Sequence, residues 1–523
     1  MRIFKPNRPL ALINKALAAS FIVAIGAALP ISVPAQTRLP ALGEGGDITV
    51  AEERQLGDMI VRDIYRDPSY IDDPTLAEYV QGIWDELLAA ARKLGELTPE
   101  IDERFAWEVL LIRDRTVNAF ALPGGYMGVQ FGLIGVVTSR DELASVMAHE
   151  TSHITQRHIS RLITQQGQQT PLVIAAMVLG ALAASRSPDA TQALVLGGQA
   201  LAVQNQLNFS RDMEREADRM GYTLMQPAGF APQGFVSMFD KLQQANRLND
   251  NGAWPYLRTH PLTTQRIADM QARLQSAGLS FFLPPPTTEH AMLSARARVL
   301  ASPGVDALRQ RVAEPKSPGF ASLPLARRAA ALYATALASS QLRDFEGARA
   351  GARQLADTVR ADTVRADAAA LRQAQLLAAE IELAAGDANA ALQYLPAAHT
   401  KVPEKRPELL LRAQALLRSG RAADTVEVAE TLQTWVTTHP RDATAWQLLA
   451  SAWQAQGQAL RAIRAEAESF VAHYDYAAAV DRLQAAQNLA RKGGPSVDYI
   501  EASIIDARLR AVQLLAKEQA AQR

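Results

Sequence analysis

The 523-residue chain holds 54 basic and 54 acidic side chains, 48% hydrophobic residues and no cysteine. At roughly 150 residues per domain it has length for two to four domains. It is too hydrophobic to be disordered and too poor in Gly and Pro to be fibrous. The missing cysteine excludes disulfides and thiolate chemistry, so any metal must be held by imidazoles and carboxylates. A balanced charge gives no reason to expect nucleic acid as a partner.

Residues 1–35 read as an address. Arg2, Lys5, Arg8 and Lys15 stand there without an acid, and Ala16 to Leu29 is an apolar run. That run is shorter than the roughly 20 residues that span a bilayer. Pro30 and Pro34 follow, and Val33-Pro34-Ala35 offers the small residues of a cleavage site. The expectation is a cleaved export signal and, with no disulfide cysteines, the periplasm of a Gram-negative cell. Removing the four bases leaves the rest mildly acidic. No cysteine follows the apolar run, which excludes a lipoprotein.

From about residue 50 to 280 helical patterns surround a short β-like region. Leu56, Met59, Ile60 and Ile64 recur at helical spacing within Ala51 to Asp67, and Pro74 to Leu94 repeats the pattern. Phe105 to Ile112 crowds its apolar residues like a strand. Asn118 to Val129 reads as strand, turn and strand around Pro123-Gly124-Gly125. Because proline cannot donate to a ladder, this region is expected at a sheet edge, and Tyr126 to Gln130 is a candidate edge for aligning an extended peptide. Asp141 to Arg161 is predicted as one helix with Leu143, Val146, Met147 and Ile154 on its apolar side. Pro171 to Ala184 is almost wholly apolar, and Ala193 to Val203 resumes after a break. A buried helical hairpin is expected there, the alternative being a surface that touches membrane or client protein. Pro284-Pro285-Pro286 marks the end of this domain.

Beyond about residue 320 the texture becomes Ala-rich helix pairs. Gly386, Gly420 and Gly457 sit at breaks 34 and 37 residues apart, the period of tetratricopeptide repeats. The best unit carries Trp446, Leu449, Ala450, Trp453 and Ala462, with Pro440 closing the unit before. An earlier copy runs from Ala329 through Tyr333 to Ala348, followed by a tandem of residues 356–360 and 361–365. Such repeats stack into a superhelix whose concave face suits other polypeptides.

The chemistry concentrates in His149-Glu150-Thr151-Ser152-His153. At 100° per residue, positions 149 and 153 share a helix face one turn apart and can reach a single ion, with Glu150 beside it. A catalytic zinc needs a third protein ligand and an open position. Asp212, Glu214, Glu216 and Asp218 all offer carboxylates downstream, and spacing does not choose among them. Glu214 and Asp218 share one helix face, Asp212 and Glu216 another. His158, nine residues after His149, projects half a turn from the ligand face and is expected to be structural. His290, His399, His439 and His473 are given no chemistry.

His149-Glu150-x-x-His153 followed by Glu214-x-x-Ala217-Asp218 resembles the M48 family of zinc metallopeptidases. Asn118 to Gly125 is similar to that family's segment before the zinc helix, and His260-Pro261 with Arg266-Ile267 to its closing motif. The resemblance implies a mainly α fold: a zincin-like metallopeptidase domain with a small β-sheet over 50–280, a linker over 281–320, and an α-solenoid of tetratricopeptide repeats over 321–518. It implies one Zn2+ per chain held by His149, His153 and Glu214, with Glu150 as general base and Asp218 supporting a ligand. His260 would steady the oxyanion, or bind zinc as a fourth ligand and hold the enzyme latent, or only pack. An exported member with such repeats implies a periplasmic endopeptidase in outer-membrane protein assembly and quality control. Its partners would be unfolded or stalled outer-membrane proteins and their assembly machinery, received by the repeats. The alternative is an assembly chaperone whose protease is mostly silent.

Overall fold

The computed structural model describes residues 48–165, 209–247, 253–280, 284–361, 367–396, 405–493 and 498–521. The export signal, the apolar 171–203 stretch and the second half of the 356–365 tandem lie largely or wholly outside them. The described residues all fall in one compact unit.

The peptidase part begins with α1 (Val50–Arg66), α2 (Pro74–Leu94) and α3 (Pro99–Arg104). A capping box between Thr49 and Glu52 starts α1, and Asp73 caps α2 ahead of Pro74. Strands β1 (Glu108–Ile112), β2 (Ala119–Leu122) and β3 (Tyr126–Gln130) lead through α4 (Phe131–Val136) to α5 (Arg140–Thr155) and α6 (His158–Gln165). Helices α7 (Arg211–Met225), α8 (Gln233–Arg247), α9 (Tyr256–Thr259) and α10 (Thr264–Ser276) complete this part.

The sheet corrects the expected edge. Its order is β1-β3-β2, with β3 parallel to β1 and antiparallel to β2, Ala121 lying opposite Met127. Tyr126–Gln130 is therefore the central strand, buried at all five positions. Gly124 and Gly125 take left-handed conformations (φ 74° and 80°) that fold β3 back between its neighbours. The outer side of β1 is covered by Tyr70 and Ile71, leaving β2 as the edge among the described strands.

Helix α5 shares one apolar core with Ile83, Trp84 and Leu87 of α2, Met127 and Val129 of β3, and Phe235 and Leu242 of α8. Ser139 caps its start, and the buried Glu142 carboxylate accepts from Lys241 Nζ and the Thr138 amide, both at 2.6 Å. Trp84 Nε1–H donates to Thr151 Oγ1 (2.9 Å), pinning α2 to α5. Gly221 lets α7 approach closely, since a Cβ there would stand 3.0 Å from the His149 amide nitrogen.

The stretch expected as a linker is largely helical: α11 (Thr288–Ala301) and α12 (Val305–Ala313). Arg296 on α11 forks onto Asp73 and reaches Glu380 and Tyr333, tying the two halves together. Helix pairs follow: α13 (Leu325–Gln341) with α14 (Phe345–Arg360), α15 (Ala368–Ala385) with α16 (Ala388–Gln393), α17 (Arg406–Ser419) with α18 (Ala422–Thr438), α19 (Ala443–Ala455) with α20 (Ala459–Ala472), and α21 (Tyr476–Lys492) with α22 (Tyr499–Ala521). Gly386, Gly420 and Gly457 all have left-handed backbones (φ 92°, 69° and 72°), the conformation that ends a helix and opens a turn. This is the texture of an α-solenoid.

One arginine from each of three successive repeats faces the peptidase part. Arg372 pairs with Glu78, Arg406 with Asp72 (2.6 Å) and Arg441 with Glu108 (2.6 Å). These arginines recur at 34 and 35 residues, so the repeat period itself builds the contact. Tyr474 joins them, its hydroxyl 2.6 Å from that of Tyr126 on β3. Among the described residues no helix is long and apolar enough to cross a membrane.

Candidate metal centre

His149 and His153 lie one turn apart on α5, and Glu214 reaches them from α7, which Ser210 caps. All three are buried, as are Glu150, Asp218 and His260. His149 Nε2 lies 3.0 Å from His153 Nε2 and 3.6 Å from Glu214 Oε2, and His153 Nε2 lies 3.4 Å from Glu214 Oε1. His260 enters the same cluster, its Nδ1 2.9 Å from Glu214 Oε1 and 3.3 Å from His149 Nε2. One ligand atom from each of the four lies within 4.8 Å of the others.

These residues fit a zinc ion. Ligands about 2.0–2.2 Å from a tetrahedral zinc stand roughly 3.3–3.6 Å apart, close to the spacings seen here. The donor set, imidazoles and a carboxylate, is the one such an ion takes.

The carboxylates left open by sequence spacing separate by environment. Asp212 is exposed and pairs with Arg215. Glu216 turns outward to His158 and Arg161. Of the four, Glu214 and Asp218 point at His149 and His153. Asp218 Oδ1 accepts from His149 Nδ1–H (3.0 Å) and both its oxygens accept from Arg266, at 2.6 and 2.8 Å. Burial pushes the Asp218 carboxyl up, but the Arg266 charge and the hydrogen bonds from Arg266 and His149 outweigh it and hold the group below its ordinary range. Arg266 Nη1 also lies 2.6 Å from Glu214 Oε2.

Glu150 sits on the other side of the cluster. Its Oε2 accepts the amide of Ala121 on β2 (2.9 Å), while its Oε1 accepts no hydrogen bond from the described residues and lies 3.5 Å from His260 Nε2. The free edge of the sheet therefore abuts the carboxylate.

Two neighbours escaped the sequence reading. Arg266 appeared only as part of a resembling motif, with no spacing to tie it to residue 218. His158 was placed half a turn away on a continuing helix. Instead α5 ends at Thr155, Arg157 takes a left-handed backbone (φ 52°), and His158 starts α6 with its Nδ1 2.8 Å from His153 Nδ1. Burial pushes the His158 imidazole down to about 4.

Residues 78–274 match peptidase family M48. The chain is 36% identical over 276 residues to the putative beta-barrel assembly-enhancing protease of Vibrio cholerae, 51% of this chain and 53% of that protein. It is 28% identical to the beta-barrel assembly-enhancing protease of Yersinia pestis, covering 94% of this chain and 95% of the relative. The Escherichia coli protein of that name is 27% identical over 96% of this chain and 97% of its own length. The chain therefore carries a zinc metallopeptidase domain of family M48, set in a sequence similar to these proteases over nearly its whole length.

Proposed function

We propose that this chain is a periplasmic zinc endopeptidase that acts in the assembly and quality control of outer-membrane proteins. The observation that carries the reading is the meeting of His149, His153 and Glu214 beside Oε1 of Glu150, which has no hydrogen-bond partner among the described residues. His149, His153 and Glu214 would hold the ion. When bound, zinc polarises the scissile carbonyl and brings the pKa of a water to about 7.

Glu150 acts as general base: its free Oε1 takes the water's proton and returns it to the leaving amine nitrogen. The Ala121 amide holds the other oxygen and so fixes the carboxylate's direction. Asp218, clamped by Arg266, accepts from His149 Nδ1–H and leaves Nε2 as that ligand's lone pair. The β2 edge, rather than β3, receives an extended peptide by main-chain hydrogen bonds. His260, whose Nδ1 points at Glu214 and His149, would be a fourth ligand in the resting chain and would keep the enzyme latent until a client is engaged.

Substrate class and location rest on the named relatives and on the expected export signal over 1–35. Clients are unfolded or stalled outer-membrane proteins. The repeats of 321–518 give part of their length to the arginine contacts with the peptidase domain of 50–280, and the remaining surface meets the assembly machinery. The position of His260 also favours a second reading, an assembly chaperone whose protease is mostly silent.

Metal analysis of the mature protein, paired with Glu150→Gln, tests both. One zinc per chain in each protein, with cleavage of an unfolded β-barrel protein lost in the variant, supports the peptidase. Full rescue of envelope phenotypes by the Glu150→Gln protein would transfer the function to the chaperone.

A further inference from the structure

A metal-binding imidazole must be neutral, with its lone pair toward the ion and its other nitrogen carrying the proton. For His149 that proton goes to Asp218. For His153 the partner is not a carboxylate or a carbonyl but a second ring. His153 Nδ1 and His158 Nδ1 are 2.8 Å apart, a distance at which the two nitrogens share one hydrogen. At its far side His158 Nε2 lies 3.1 Å from Glu216 Oε2, which also accepts from Arg161 at 3.0 Å.

With both rings neutral, the direction of this chain follows from its outer end. An ionised carboxylate only accepts, so His158 Nε2 carries a proton and donates it to Glu216. In the neutral ring Nδ1 is then the acceptor. His153 Nδ1 must donate to it, which leaves His153 Nε2 as a lone pair aimed at Glu214 and His149. The backbone reversal that makes this possible is itself anchored, because Arg157 is held by Glu53 (2.7 Å) and reaches Ser160 Oγ (3.2 Å).

We propose that His158 is a positioning residue for the zinc site, fixing the tautomer and orientation of His153 on behalf of Glu216. This rests on His153 being a zinc ligand. His158 is fully buried and does not face the cluster with a nitrogen of its own, so its part is to orient a ligand rather than to be one.

The test is zinc affinity of the full-length mature chain, measured by competition with a chromophoric chelator. His158→Leu removes the acceptor and is expected to weaken zinc roughly 10- to 100-fold, the usual cost of losing such a partner. His158→Asn places a carbonyl oxygen near the former Nδ1 and is expected to stay within about threefold of wild type. The visible spectrum of the cobalt-substituted protein should shift in His158→Leu at unchanged stoichiometry. Glu216→Ala, at a partly exposed position, reads the same chain should His158→Leu fail to fold, with a several-fold loss expected. Wild-type affinity in His158→Leu or Glu216→Ala, or an Asn variant as weak as the Leu variant, overturns the proposal. His153→Ala separates the two levels: if it still binds zinc stoichiometrically, the ligand assignment itself has failed.

Discussion

The Ala121 amide donates to Glu150 Oε2 at 2.9 Å, while Oε1 of the same carboxylate is buried without a hydrogen-bond partner among the described residues. A buried carboxylate oxygen left unpaired costs stability, and here the cost falls on the atom that faces the histidines. The sheet edge thus aims the carboxylate as well as offering itself to a peptide. Glu150→Gln keeps the size of the side chain and can keep the Ala121 bond, but it cannot take a proton. Hydrolysis should fall by about 10²- to 10⁴-fold, the contribution expected of a general base, with zinc content unchanged. Cleavage persisting at more than a tenth of the wild-type rate would contradict the assignment.

His260 distinguishes its two active roles by sign. If its Nδ1 competes for the ion, His260→Ala opens a coordination position and basal cleavage of an unstructured protein rises, by roughly tenfold for each 1.4 kcal/mol of competition removed. If the ring steadies the oxyanion, the same change lowers turnover. The 2.9 Å approach to Glu214 Oε1 favours the rise. Steady-state rates on casein, with zinc content measured in parallel, decide between them, and an unchanged rate leaves only packing.

How much of this was legible in the chain follows the range of each interaction. His149, Glu150 and His153 lie within one helical turn, so their shared face is fixed by helix geometry before anything folds. Glu214 and Asp218 were paired by the same geometry, but their preference over Asp212 and Glu216 depends on which face α7 buries, and Gly221 against α5 sets that. Tyr126–Gln130 was read as an edge because its turn carries Pro123. The parallel partner β1 comes from earlier in the chain, and no local pattern announces it. His158 was misplaced because helical projection assumes an unbroken helix, and the reversal at Arg157 has no glycine to signal it. The arginines at 372, 406 and 441 were visible as residues, but their partners Glu78, Asp72 and Glu108 lie some 300 positions earlier.

Arg266 neutralises two buried carboxylates at once. It forks onto Asp218 and lies 2.6 Å from Glu214. Arg266→Gln would leave both acids without their cation in a site nearly closed to water. Removing one partner of a buried pair typically costs about 3–5 kcal/mol, and the metal-free protein should lose that much in urea unfolding with a chelator present. Arg266→Lys should recover only part of it, since an ammonium cannot make the fork. A loss below about 1 kcal/mol would place this pair in the class of solvent-screened surface bridges and remove Arg266 from the support of the site.

His290 gives the fold an acid-sensitive point away from the metal centre. The ring is buried between α2 and α4, with Tyr79 O–H donating to Nδ1 at 2.7 Å and Nε2–H donating to the Val137 carbonyl at 3.3 Å. Both nitrogens of the neutral ring are satisfied, and burial pushes its pKa down to about 4. In the unfolded chain a histidine titrates near 6.5. Above that pH both states are neutral and the group contributes no pH dependence. Below it the unfolded chain takes up the proton first, so stability falls progressively until about pH 4, where the folded ring charges too. The full span is worth about 3 kcal/mol at 1.36 kcal/mol per unit. His290→Gln cannot charge, so its stability should decline less steeply than wild type between pH 6.5 and 4, by up to that amount in urea midpoints converted to free energy. Parallel pH profiles for the two proteins would show that the buried ring is charged in the fold and that Tyr79 and Val137 do not hold it neutral.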